Sequence, residues 1–250
     1  MGRLDDEHAR ARRQRELAGP DGPANPADFS EALARGLAVL SAFGAERRRL
    51  TQAELARELG ISRATVRRAV LTLEHLGYLK AEGRSYELTP RVLRLAQAYL
   101  TSNVVSTVLQ PICDRICRDL NASCSVAVLD GADAVMIARA VPHLFTSGLG
   151  FRVPAARSAL GKVLLAHLES AADADDGTLN RVRAEGRCYV ADDVEMGFHS
   201  MAVPIRQWDG RVVAALNVGA GLGQISRDDM FGQVLDVLVR SAEEAHGLLV

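Results

Sequence analysis

Between Thr51 and Leu88 the chain carries its helix starts and stops in an order that few folds can use. Thr51-Gln52-Ala53-Glu54 is a capping box, in which the threonine hydroxyl and the glutamate carboxylate satisfy orphan amides at a helix start. The helix it opens has Leu55, Ala56 and Leu59 to bury. It stops at Gly60-Ile61, because glycine takes the left-handed conformation of a tight stop. Ser62 caps a following helix that runs to about Leu76. Val66, Ala69, Val70, Leu73 and Leu76 form its apolar stripe, leaving Arg63, Thr65, Arg67, Arg68 and Thr72 largely off it. Gly77 ends that helix. Tyr78-Leu79-Lys80 and Tyr86-Glu87-Leu88, around the polar turn Glu82-Gly83-Arg84-Ser85, then read as a β-hairpin.

Helix, glycine turn, helix and hairpin is the winged helix-turn-helix order. In that arrangement the first helix of the pair props the second across a DNA major groove. The second presents its N-terminal end, where Ser62, Arg63, Ala64 and Thr65 can approach base edges. Arg67 or Arg68 and helix N-terminal amides can hold phosphates, and Gln52 is a further expected DNA-contacting residue. Arg84 and Ser85, at the wing tip, can lie along a flanking backbone or minor groove. Any three-helix bundle has capped amphipathic helices, and surface arginines are ordinary. The ordered set, with Gly60 in place and the arginines off the core stripe, outweighs that plainer reading.

Charge supports the same division. From Arg47 to Arg94 there are 11 Lys and Arg against 5 Asp and Glu; from Thr101 onward the count is 13 against 18. A basic segment followed by an acidic remainder suggests a polyanion-binding module joined to something else. Before Asp28 the residues are charged or Gly and Pro with few apolar ones, which predicts a disordered tail over 1–27. Cys113, Cys117, Cys124 and Cys188 sit among apolar neighbours without Cys-x-x-Cys spacing, so buried reduced thiols are expected and no metal site. No apolar run approaches the roughly 18 residues a membrane helix needs. The opening residues lack the apolar core of a secretory signal, and a cytoplasmic location is expected.

An Asx or Ser cap at Asp28-Phe29-Ser30 precedes an apolar series, Leu33, Leu37, Leu40 and Phe43, at helical spacing. After the hairpin, Thr89-Pro90 starts a helix through Leu93, Leu95 and Ala96 to about Leu100, the expected linker. Val105, Leu109, Ile112, Ile116 and Leu120 mark another amphipathic helix. Strands are expected at Ser125–Leu129 and Ala134–Arg139, then a helix from Ser158 to about His167. A hairpin follows at Ser200–Ile205 and Val212–Val218, then a closing helix from Arg227 to about His246. Hairpins with helices at both ends predict an α+β domain. The expected organisation is a winged helix-turn-helix over 28–89, a linker helix over 90–103 and a second domain over 104–250.

The segments "ALARGLAVLSAF", "LTQAELARELGISRATVRRAVLTLEHLGYL" and "YELTPRVLRLAQAYL" resemble the DNA-binding domain of IclR-type bacterial transcriptional regulators. "GFRVPAARSALGKVLLAHL" and "MAVPIRQWDGRVVAALNVGA" continue the resemblance into the second domain. It is most similar to the branch that regulates aromatic-acid catabolism through the β-ketoadipate route. The resemblance implies a GAF-like effector domain with a small-molecule pocket. Lining it would be Ser147, Gly148, Leu149 and Gly150, the helix start at Ser158, Ala159 and Leu160, and the facing Asp193, Ser200, Asn217 and Gly219. Hydroxyl, amide and backbone N–H groups suit a carboxylate or phenol, and Arg152 or Arg157 could add charge. Each residue also has an ordinary reading: Ser158 is equally a helix cap, and Asn217 could satisfy backbone in its sheet. Ala156 and Gly219 stand where relatives often carry larger residues, which implies a roomier pocket.

Ser158, His143, His199 and Asp193 could be assembled into a catalytic triad. None lies in a nucleophile elbow, and neither a zinc motif nor a phosphate loop occurs, so no enzyme and no cofactor are expected. The expected partners are double-stranded operator DNA, a small organic acid and further copies of the chain in a homodimer or homotetramer, with no membrane. The competing reading makes the second domain an oligomerisation scaffold alone.

Overall fold

A computed structural model describes residues 28–44, 47–142, 148–168 and 177–249. The predicted tail, with Ser147 and His143, lies outside the described residues. The chain divides into two compact units, Met1–Ala98 and Tyr99–Val250.

The first unit follows its local signals closely. Helix α1 (Glu31–Ser41) starts at Ser30, whose hydroxyl accepts the Leu33 N–H. Strand β1 (Leu50–Thr51) leads into α2 (Gln52–Leu59), where both halves of the Thr51–Glu54 capping box form. Those bonds hold the Glu54 carboxyl below its usual pKa. Gly60 closes α2 at φ +66°, and Ser62 caps α3 (Arg63–His75) by accepting the Thr65 N–H at 3.2 Å. Strands β2 (Leu79–Glu82) and β3 (Ser85–Leu88) form the hairpin, and β1 joins it in the order β1-β3-β2. Val39, Leu55, Val66, Val70 and Leu79 fill the core. On α1 the apolar series divides. Ala38, Val39 and Ala42 are buried, whereas Leu33 and Leu37 are 65% and 53% exposed.

After the hairpin a 3-10 turn (Pro90–Val92) precedes α4 (Leu93–Ser102), which buries no residue. Thr89 donates to the Gly77 carbonyl, and Arg91 donates to the Leu76 carbonyl while lying 5.8 Å over the Tyr78 ring. The turn is thereby fastened to the last residues of α3.

In the second unit α5 (Val104–Leu120) is followed by β4 (Ser123–Asp130) and β5 (Asp133–Ala140). Next come β6 (Arg152–Pro154), α6 (Ala159–Ala166), α7 (Gly177–Glu185) and β7 (Cys188–Ala191). Strands β8 (Phe198–Arg206) and β9 (Val212–Gly221) precede the closing helix. All six strands form one antiparallel sheet in the order β6-β5-β4-β9-β8-β7. The α+β class follows from this sheet and its helices. Strands β6 and β7 and helix α7 have no counterpart in the sequence expectations. The closing helix is also interrupted: Gly232 leaves helical geometry at φ −99°, ψ −105°. The interruption separates a first turn at Arg227–Asp229 from α8 (Leu235–Leu248).

The sheet carries a core on each face. On one face Leu216 and Val218 of β9 and Met201 and Val203 of β8 pack with Leu109, Ile112 and Ile116 of α5 and Leu238 of α8. On the other, Ala127, Ala202 and Ala215 lie under Leu160, Val163 and Leu164 of α6. Small residues on the sheet let α6 approach closely. A Cβ on Gly161 would stand 2.2 Å from the Ala155 backbone, so that position needs glycine. All four cysteines are free and buried. Burial pushes the Cys188 thiol up to about 11, and a hydrogen bond to Cys113 together with burial raises Cys124 well above its ordinary value.

Candidate functional site

In the first unit, Val66, Val70 and Leu73 turn inward on α3 and leave Arg63, Ala64, Arg67 and Arg68 exposed. Arg63 and Arg67 fall one turn apart on one ridge, and Ala64 and Arg68 on the next. None of the three arginines is engaged by a carboxylate among the described residues. Ser62 and Thr65 behave differently, because their hydroxyls bond each other at 2.9 Å. They form the cap that shapes the helix start. Gln52 donates to the Tyr86 hydroxyl at 3.0 Å, tying α2 to the wing. At the wing tip Gly83 turns at φ +63°, Arg84 is exposed, and Ser85 donates to the Glu82 carbonyl. The face thus presents free cations at the end of α3 and on the wing, held by a frame of hydroxyls and amides. Such a surface suits a phosphate backbone read at close range.

In the second unit, strand alternation sorts the polar residues by face. Cys124 and Val126, Met201 and Val203, and Leu216 and Val218 belong to the core under α5 and α8. Ser123, Ser125, Ser200, Asn217 and Gly219 therefore face the α6 side. The register sets them in two rows: Arg139, Ser125, Asn217 and Ala202 across four adjacent strands, then Ser123, Gly219 and Ser200. Arg139 was not among the residues singled out from the sequence. Its guanidinium lies 5.2 Å over the Phe151 ring, and Nη1 donates to the Met136 sulfur at 3.0 Å. Its Nε is buried and unpaired, as is Oδ1 of Asn217. Burial with no acid nearby pushes the Arg139 pKa down.

The backbone at Arg139 is fixed from the other side. Strand β6 covers only Asp133 to Val135, and α5 completes the edge beyond it. Gln110 accepts the Arg139 N–H and donates to its carbonyl, both at 3.0 Å, and Ser106 donates to the Ile137 carbonyl. A bulge between Val126 and Ala127 sets the facing of this end of β5.

The other expected lining residues distribute as follows. Gly148, Leu149 and Gly150 are exposed beside Met136, whose carbonyl accepts the Gly150 N–H. Ser158 is buried as the cap of α6, accepting the Gly161 N–H at 3.0 Å, while Ala159 and Leu160 are core. Asp193 is held to α6 by Lys162 at 3.0 Å, and Arg157 donates to its carbonyl. Arg152 is neutralised by Asp130 and Asp133. The expected extra room at Gly219 is not there: a Cβ would meet the Phe198 ring at 2.7 Å and the Ser123 hydroxyl at 3.2 Å. The aromatic ring fills the space the glycine leaves. An open depression of about 400 Å³ lies elsewhere, along Pro111, Asp114 and Arg118. Neither buried unpaired atom of the Arg139 row lines it.

A catalytic triad through His199 does not assemble; His143 lies outside the described residues. His199 pairs across the sheet with Ala220, which places it on the α5 side, away from Ser158. It is buried, bonds the Tyr189 hydroxyl at 3.1 Å, and its pKa is lowered by burial.

Residues 32–83 match the model of the IclR helix-turn-helix domain, and residues 97–175 that of the bacterial transcriptional regulator IclR C-terminal domain. The chain is 37% identical to the Pca regulon regulatory protein of Pseudomonas putida, over 87% of this chain and 83% of that one. It is 32% identical to the p-hydroxybenzoate hydroxylase transcriptional activator of Acinetobacter baylyi, over 89% and 93%. Among solved structures it matches a putative transcriptional regulator, RHA06195, from Rhodococcus sp. RHA1 with a TM-score of 0.74 and 35% identity, over 88% and 98%. An IclR homolog from Microbacterium hydrocarbonoxydans, complexed with 4-hydroxybenzoate, has the same fold at a TM-score of 0.70 and 23% identity, over 87% and 98%.

Proposed function

The chain belongs to the IclR family of DNA-binding transcriptional regulators, and from that premise we propose that its second unit senses a small organic acid. The observation that carries this reading is the pair of polar rows on the α6 face. Ser125, Asn217, Ser200 and Arg139 interrupt a face otherwise made of alanine and aliphatic side chains. Polar groups set in an apolar wall are how small-molecule sites fix orientation. The relatives support an aromatic acid, since one is named for p-hydroxybenzoate hydroxylase and another holds 4-hydroxybenzoate; a ring-opened dicarboxylate is the alternative within the same reading.

In this reading residues 28–89 read operator DNA, residues 90–103 link, and residues 104–250 bind the effector and hold copies of the chain together. Arg63 and Ala64 face bases, Arg67, Arg68 and Arg84 face phosphates, and Gln52, Ser62, Thr65 and Ser85 hold them in place. The working unit is a homodimer or homotetramer in the cytoplasm. Leu93, Leu95 and Tyr99, exposed on a helix that buries nothing, supply apolar surface for self-association.

The test is calorimetric titration of protocatechuate, 4-hydroxybenzoate and β-ketoadipate into free and DNA-bound protein. An effector that changes DNA affinity must have its own affinity changed by DNA through the same factor. Binding with that reciprocity is the expected result. If no acid binds in the millimolar range or tighter, the second unit is an oligomerisation scaffold alone.

A further inference from the structure

Two buried polar atoms on one face of one sheet have nothing to bond, and they differ in kind. Arg139 offers the donor of a cation; Asn217 offers an acceptor. They sit in one cross-strand row with Ser125 between them, two strand spacings or roughly 10 Å apart at the backbone. Buried polar atoms are nearly always paired, and these two are exceptions. Here the protein also spends structure on holding the cation. Gln110 and Ser106 satisfy the β5 edge around it, and Phe151 lies against its guanidinium face. A guanidinium has five N–H donors in a planar fork, and only a thioether takes one of them here.

We propose that Arg139 and Asn217 are the two ends of a ligand cradle on the α6 face. The guanidinium holds the carboxylate of a small hydroxy-aromatic acid, and the Asn217 amide takes the ring hydroxyl. This rests on the sensor reading above and narrows it to monoacids over dicarboxylates. A second carboxylate would need a second free cation. Of the two cations offered by the sequence near this face, Arg152 is paired with Asp130 and Asp133 and Arg157 is turned to the Asp193 carbonyl, while Lys162 is paired with Asp193. Phe151 beside Arg139 and Phe198 beside Gly219 supply flat apolar surface toward the two ends of the row.

Full-length wild-type protein, Arg139→Met, Arg139→Lys and Asn217→Ala are titrated with 4-hydroxybenzoate, 4-hydroxybenzamide, benzoate and β-ketoadipate, and each unliganded protein is melted. Wild type is expected to prefer 4-hydroxybenzoate over its neutral amide by roughly tenfold to hundredfold, the scale of a hydrogen bond to a charged group. Arg139→Met should abolish that preference, and unliganded it should melt close to wild type, because no carboxylate among the described residues pairs with Arg139 and the apolar stem against Phe151 is kept. Arg139→Lys should retain part of the preference, having the charge without the fork. Asn217→Ala should weaken 4-hydroxybenzoate and leave benzoate unchanged. The cradle is refuted if wild type binds the amide as tightly as the acid, or if Arg139→Met keeps the preference. If wild type binds 4-hydroxybenzoate but prefers β-ketoadipate, the sensor survives and the monoacid assignment fails. If wild type binds none of the four, the sensor reading and the cradle fall together. The wild-type acid and amide comparison decides the matter even should a variant fail to fold.

Discussion

Replacing glycine by alanine in a helix normally stabilises it, and at Gly161 the same change should do the opposite. Alanine gains about 1 kcal/mol of helix propensity. Against that, its methyl would lie 2.2 Å from the Cα and carbonyl oxygen of Ala155 and 2.5 Å from the carbonyl carbon. These are backbone atoms and cannot swing aside. Ala155 donates its N–H to the Ala132 carbonyl at 2.9 Å, and Pro154 before it accepts the Ser158 N–H at 3.1 Å. Overpacking a fitted site costs typically 1–3 kcal/mol, and an immovable neighbour puts this case near the top. The net loss is then about 2 kcal/mol, a fall of roughly 4–8 °C in the melting of the second unit. Trp208, the only tryptophan, lies in that unit and follows its unfolding by fluorescence. Gly36 in α1 is the matched control: it has nothing within 4 Å of a built Cβ, so Gly36→Ala should gain roughly 0.5–1 kcal/mol in the first unit. A Gly161→Ala protein as stable as wild type would refute the close approach of α6 to the Ala155 backbone.

Four other perturbations have defined outcomes. Ser62→Ala leaves the Thr65 amide uncapped and should cost the first unit about 1 kcal/mol; Arg67→Ala should leave stability alone and lower the slope of log affinity against log salt by about one, read by fluorescence anisotropy. His167 and His199 have pKa values depressed mainly by burial, so the unfolded chain binds protons first. Their share of stability is therefore full above the ordinary histidine range and is lost as pH falls through it toward the folded values; urea unfolding at pH 7.5 and 5.5 should show the loss, and His199→Gln should reduce it. Gly219→Ala should destabilise by about 1 kcal/mol, the low end for overpacking, because the end of the half-buried Phe198 ring can give way, and Phe198→Leu should recover part of that loss in a double-mutant cycle.

Much of the fold was legible because its signals are local. Capping boxes, left-handed glycines and helical stripes act within a few residues, so α2, α3, the hairpin and α6 were all readable. Short strands not joined to a partner by a tight turn were not. Arg152–Pro154 and Cys188–Ala191 become strands because a sheet edge is there to pair with, and that edge is distant in sequence. The site was half legible for the same reason. Ser200, Asn217 and Gly219 share a hairpin whose alternation can be read directly. Arg139 joins them through the β4–β5 register, and the bulge beside Val126 changes the facing that strict alternation would give. Leu33 and Leu37 show the opposite failure, where helical spacing was real but the buried stripe was Ala38, Val39 and Ala42.

The burial of every native thiol has a practical side. Only a thiolate attacks maleimides and iodoacetamides readily, and the raised pKa values of Cys188, through burial, and of Cys124, through its hydrogen bond to Cys113 and burial, leave less thiolate still. The chain is thus its own cysteine-free background for site-directed labelling. A single cysteine at the exposed Ala64 would accept a fluorophore or spin label at the reading end of α3 without stripping any residue from the core. Distances between such labels on assembled copies would then register where that helix goes when an acid is added, in the wild-type framework.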